Sequence, residues 1–205
     1  MNAPGQRAGT RREFLHLGAA SLAITGTAAV AAESPRLAEI KRELGLRGLE
    51  GESGWFKELH VSAQASVIDG RSRQLSSSIY YLLDRERPVN FLHWLAPDDT
   101  HILCEGGPLE YFVFKADGTA ERHVVGRNLA AGERPMVFVP GNSWKAIRLL
   151  PGAEFALLVN VLTPQWTPDA VKIGAGAEFL QRWRGQAPWA TETLLKELIG
   201  PNWRG

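Results

Sequence analysis

The middle of this chain is written in short strands, and that pattern constrains the fold more than any other feature. Segments 76–83, 90–95, 100–105, 109–115, 119–125, 135–139, 143–149 and 154–162 are apolar or alternating. Turn-forming pairs separate them, among them Arg87-Pro88, Pro97-Asp98, Asp117-Gly118, Pro140-Gly141 and Pro151-Gly152. Asp117-Gly118 between apolar runs is a hairpin signal. Strands at this spacing, with no helix between them, predict an all-β closed antiparallel sandwich or barrel.

Short helices flank the β region. Ser34-Pro35 opens one, in which Leu37, Ile40 and Leu44 repeat at helical spacing. After Pro164 the pattern turns helical again over 177–184 and 191–199, the second stopped by Gly200-Pro201. The domain reading is a leader over 1–32, a β domain over 33–186 and a C-terminal helical extension over 187–205.

The leader has its own chemistry. Thr10 precedes Arg11-Arg12, and Phe14-Leu15 follows one residue later; from Phe14 to Ala32 there is no Asp, Glu, Lys or Arg. A charged start, a mildly apolar run and small residues at 29–32 have the layout of a twin-arginine export signal. Its partner is the twin-arginine translocase, its cut falls after Ala31 or Ala32, and the cargo is periplasmic or secreted. The alternative is an uncleaved segment that anchors the protein in the membrane.

Composition narrows the partners. Without Arg7, Arg11, Arg12 and Glu13 of the leader, 20 basic and 21 acidic residues remain. No basic field is left to recruit nucleic acid. The single cysteine, Cys104, excludes an internal disulfide. Its apolar surroundings predict that it is buried. There is no phosphate-binding glycine loop, nucleophile elbow or paired-cysteine metal motif.

Several motifs together resemble a family. Glu52-Ser53-Gly54-Trp55-Phe56-Lys57-Glu58 is similar to the opening motif of a cupin family known as a domain of unknown function, usually His-Pro-Glu-Gly-Gly, an aromatic pair and Glu. Residues 73–83 resemble its first barrel strand. His93, Asp98-Asp99 and Gly106-Gly107-Pro108-Leu109-Glu110 resemble its centre. Glu133-Arg134-Pro135, Pro140-Gly141, Ser143-Trp144, Ala146 with Arg148, and Leu162-Thr163-Pro164-Gln165-Trp166 resemble its second half. The likeness is collinear over about residues 46–185. It implies a cupin double-stranded β-helix, or jelly-roll barrel, that holds a small-molecule ligand inside, and a homodimer formed near Trp55 to Val61. The departures fall near the expected cavity: the opening His and Pro are missing, Asp99 replaces Glu, and His101 replaces Trp.

The candidate site follows from alternation and from the resemblance. Asp99, His101 and Leu103 share one strand face by period two. The likeness brings His93 beside them. Two imidazoles and a carboxylate would suit a divalent iron, manganese or zinc ion. The alternative is that His93 is a hydrogen-bonded pocket histidine and that Asp98 and Asp99 cap a turn. Trp55, Tyr80, Tyr111 and Trp144 are the aromatic candidates for the pocket wall. His93, Asp99, His101, Tyr111 and Trp144 are expected to converge on one pocket, with Asp98 turned away. Lys145 is read as an outward-facing alternate, and His60 and His123 as surface residues.

Two functions fit. One is a binding protein for a small, carbohydrate-like ligand. The other is an enzyme: a sugar epimerase or isomerase with His93 as base, or a metal-dependent oxygenase using His93, Asp99 and His101. The residues leave open which it is. The leader yields a direct prediction. Arg11→Lys with Arg12→Lys blocks export, because a guanidinium pair is recognised by geometry as well as charge. Cell fractionation checks it, and unchanged periplasmic recovery of the double variant overturns the reading.

Overall fold

The computed structural model describes residues 33–205. The export signal and the cleavage site expected over residues 1–32 lie outside the described residues. Helix α1 (Pro35–Glu43) precedes strands β1 (Arg47–Gly48), β2 (Trp55–Val61), β3 (Ala65–Ile68) and β4 (Arg71–Gln74). Next come β5 (Ser77–Asp84), β6 (Val89–Leu95), β7 (Asp98–Gly106), β8 (Leu109–Phe114), β9 (Ala120–Val125), β10 (Met136–Val139), β11 (Ser143–Leu149) and β12 (Phe155–Thr163). Strand β13 (Val171–Ile173) and helices α2 (Ala177–Trp183) and α3 (Glu192–Ile199) complete the fold.

The eight strands expected from the punctuation are β5 to β12, within two residues at each end. The hairpin β3–β4 escaped the reading. Its Asp69-Gly70 turn has φ of 49° and 74°, the backbone that an Asp-Gly pair supports. Few apolar residues flank that turn, so no alternation marked the strands.

The strands form two facing sheets, a jelly-roll sandwich. One runs β1-β2-β5-β12-β7-β10 and the other β13-β6-β11-β8-β9; β3 and β4 pair only with each other. Inward side chains of both sheets make the central core, with Tyr81, Leu83, Leu103, Leu109, Tyr111, Ile147 and Leu158 buried together. Each sheet also has a covered outer face. On the six-stranded sheet α1 lays Leu37 and Ile40 against Leu82, Phe155 and Leu157. Ser34 caps that helix by accepting from Leu37 N, and Lys41 anchors it to Asp84 at 2.7 Å. On the five-stranded sheet α2 and α3 cover Leu92, Phe112, Phe114 and Ala146 with Phe179, Trp183, Leu195 and Leu198. Strand β8 lies between the two cores and is buried at every position.

Cys104 is exposed, which corrects the expectation of burial. The alternation that turns Asp99, His101 and Leu103 inward turns Thr100, Ile102 and Cys104 outward.

Among the sheet edges, that of β2 is open over most of its length. Strand β1 pairs only with Trp55 and Phe56 of β2. From Lys57 to Val61 the outer edge of β2 has no strand partner among the described residues. Leu59 and Val61 there are 43% and 41% exposed. An unpaired edge with exposed apolar side chains is a template for pairing. We propose a homodimer in which Trp55–Val61 contributes to the interface. Light scattering should give a dimer mass for the wild type and a monomer mass for Leu59→Lys with Val61→Lys. A strictly monomeric wild type at micromolar concentration overturns it.

Candidate functional site

A cavity of about 520 Å³ opens between the two sheets. His93, Asn90 and Lys145 reach it from the five-stranded sheet, and Asp99, His101 and Asn160 from the six-stranded sheet. Phe56, Ile79 and Leu162 supply apolar wall, and Gln165 to Pro168 form part of the lining.

Local geometry explains how these side chains meet. Asn90 and His93 are three apart, yet both point inward, because the pairing of β6 with β11 shifts register between Lys145 and Ile147. Lys145 lies opposite His93 in that ladder. On β7 plain alternation places Asp99 and His101 side by side, and Asp99 Oδ2 accepts from His101 Nε2 at 2.8 Å. The same oxygen accepts from the Lys145 ammonium. Asp98 turns the other way and accepts from the Gly141 amide at 2.7 Å.

A second group sits on the other sheet. His93 Nδ1 donates to the Phe91 carbonyl at 2.8 Å, and Glu52 Oε2 lies 3.6 Å from its Nε2. The loop carrying Glu52 is held firmly. Glu52 O accepts from Phe91 N at 2.7 Å and from Asn90 Nδ2 at 3.2 Å. Tyr81 donates to Ser53 O at 2.8 Å. Gly54 makes that contact possible, because a Cβ there would lie 2.3 Å from the Tyr81 hydroxyl.

The fold and this interior site meet in a family match. Residues 38–173 match the family described as Cupin superfamily (DUF985). The chain belongs to the cupin superfamily. It is similar to the uncharacterized protein YML079W of Saccharomyces cerevisiae, 33% identical over 127 residues that cover 55% of this chain and 63% of the yeast protein. The cupin therefore spans a little under two thirds of that relative's length. Among solved structures it resembles a hypothetical protein from Leishmania major, with a TM-score of 0.68 and 22% identity, covering 79% of this chain and 97% of that one. It also resembles protein SO0799 of Shewanella oneidensis, with a TM-score of 0.65 and 24% identity, covering 80% and 96%. These two likenesses show the fold.

The cupin brings His93, Asp99 and His101 to one cavity, His93 from the five-stranded sheet and Asp99 and His101 from the six-stranded sheet facing it. The aromatic candidates fall elsewhere. Trp55 packs at the α1 face and donates from Nε1 to Asp84 at 3.0 Å. Tyr80 packs on the same face. Trp144 lies under the C-terminal helices, 5.6 Å from the Phe179 ring. Tyr111 is buried in the core edge-on to His101, with ring centroids 5.3 Å apart. In three cases the cavity takes the next residue along: Phe56, Tyr81 and Lys145. Lys145 is thus inward and buried, not an outward alternate. Glu52, Asn90 and Asn160 also line the cavity, as do Arg47 and the exposed His60, and sequence reasoning missed them. Only Glu52 carried a signal, since it stands at the Glu of the opening motif.

The residues present do not fit the expected metal. Asp99 Oδ2 and His101 Nε2 are bonded to each other, and the Lys145 ammonium takes the same carboxylate oxygen. A dication beside that ammonium would be repelled. Among the described residues no three His, Cys, Asp or Glu side chains group to hold an ion.

Burial alone would raise the Asp99 carboxyl, but His101 and Lys145 hold it well below the usual carboxylate range. Burial pushes both His93 and His101 below the ordinary histidine value, against the pull of nearby carboxylates. Both imidazoles are therefore neutral at pH 7. An imidazole harder to protonate in the folded chain takes up its proton on unfolding. Its stabilisation is complete above about pH 6.5 and is lost as pH falls, by up to about 1.4 kcal/mol per pH unit for each histidine. Asp99 adds nothing in that window, because its share is lost only below about pH 4. Urea unfolding between about pH 7 and pH 5 should show this fall, and His93→Gln with His101→Gln should flatten it. Equal slopes for both proteins would refute the assignment.

Proposed function

We propose that this cupin is an exported protein that binds a small, polar, carbohydrate-like molecule in the cavity between its sheets. Export rests on the Arg11-Arg12 leader. Binding rests on one observation: a cavity of about 520 Å³ whose wall combines Phe56, Ile79 and Leu162 with the polar ends of His93, Asn90, Asn160 and Lys145. Its volume lies within the range of small-molecule sites, about 300–1,000 Å³. Apolar ring faces and converging polar groups suit a polyhydroxylated ring. Trp166, 43% exposed and on the lining, offers a flat surface for such a ring.

A second reading is favoured by the state of His93. Its Nδ1 proton is committed to the Phe91 carbonyl, so Nε2 is a free base beside a carboxylate. That arrangement suits proton abstraction next to a carbonyl, as in an epimerase or isomerase. The partner carboxylate is Glu52.

Calorimetry and thermal melting against monosaccharides and related polar molecules test the first reading. One class should bind the wild type, and Ile79→Trp, which fills the cavity, should abolish that binding. Binding that survives Ile79→Trp places the ligand elsewhere and overturns the proposal. The enzyme reading adds its own outcome: His93→Gln keeps ligand affinity but loses solvent deuterium exchange into the ligand.

A further inference from the structure

The Glu52–His93 pair leaves two hydrogen-bond acceptors facing each other. The Phe91 carbonyl can only accept, so His93 Nδ1 carries the ring proton and Nε2 keeps a lone pair. That lone pair faces Glu52 Oε2 at 3.6 Å, too far for a hydrogen bond, with no proton between them. His93 is 1% exposed, and among the described residues no donor is bonded to its Nε2. Glu52 likewise has no Lys or Arg partner among the described residues. Asp99, the other deep carboxylate, is neutralised by Lys145. Glu52 therefore reaches the cavity with no Lys or Arg nitrogen within 4 Å of its carboxylate among the described residues, although Arg47 and Lys145 line the same cavity.

We infer that the ligand seats a protonated amine between Glu52 and His93. A hydroxyl has one proton and can satisfy only one of the two acceptors. An ammonium has three, so it can donate to Glu52 Oε2 and His93 Nε2 together and balance the carboxylate charge. A carboxylate or phosphate would bring a third acceptor beside the first two and be repelled. The loop is already fixed through Glu52 O and Ser53 O, so the carboxylate is in place before a ligand arrives. This assignment rests on the ligand-binding reading above and names the charge that the ligand carries.

A matched series of four-carbon probes tests it: putrescine, 1,4-butanediol and succinate, each titrated into the full chain by calorimetry. Putrescine should bind at one site, at least tenfold more tightly than butanediol, with no binding of succinate. Glu52→Gln should weaken putrescine at least tenfold. If that variant fails to fold, the ring-nitrogen resonances of wild-type His93 serve instead, and Nε2 should shift on putrescine addition while Nδ1 does not. Butanediol or succinate binding that is lost in Ile79→Trp, without putrescine binding, leaves the cavity as a ligand site but overturns the amine. Putrescine affinity unchanged in Glu52→Gln, or a silent Nε2 resonance, overturns it as well. Failure of all three probes overturns the amine, and the cavity reading then stands or falls on the monosaccharide titrations.

Discussion

A buried ion pair between Asp99 and Lys145 joins the two sheets across the interior, and the site is arranged around it. Asp99 belongs to β7 and Lys145 to β11, so the contact spans facing layers. Taking both charges out of water is costly, and the attraction offsets that cost only with close geometry and further hydrogen bonds. His101 supplies one such bond and is oriented by it. Removing one partner of such a pair costs about 3–5 kcal/mol, because the other is left charged and buried. The pair thus ties the two sheets together at the cavity and buries an ammonium beside Asp99 and His101.

Much of the fold was legible in the sequence because turn chemistry is local. Pro-Gly and Asp-Gly pairs announce a reversal whatever packs around them, and eight strands could be bounded from them. The site was legible only in part, for a reason visible on individual strands. On β7 polar and apolar residues separate by face, and Asp99 with His101 could be assigned inward. At Trp55–Phe56 of β2, along β5 and along β11 both faces are covered, one by the facing sheet and one by helices, so both carry apolar or aromatic residues. No contrast then fixes which set points inward, and a one-residue slip exchanges the faces. Trp55 for Phe56, Tyr80 for Tyr81 and Trp144 for Lys145 are all that same slip. Asn90 was hidden differently, since it reaches the cavity only through a register shift that no local pattern marks.

The electrostatics divide the cavity into two unlike halves. Around Asp99 the charges are paired: one carboxylate oxygen takes both the ammonium and the imidazole, while Asp99 Oδ1 and His101 Nδ1 have no partner among the described residues. Around Glu52 they are open: a carboxylate and an imidazole lone pair meet without a donor. A ligand can complete the second half without breaking the ion pair of the first.

Strand β11 shows what such a layout means for divergence. Lys145 faces the cavity, while Trp144 and Ala146 on either side of it lie under the helices. Mutations at adjacent codons therefore fall on separate traits, one set altering what the protein recognises and the other how firmly it holds together. A lineage can explore new ligands along the inward positions while purifying selection keeps the outward ones, and relatives can share this architecture without sharing a ligand.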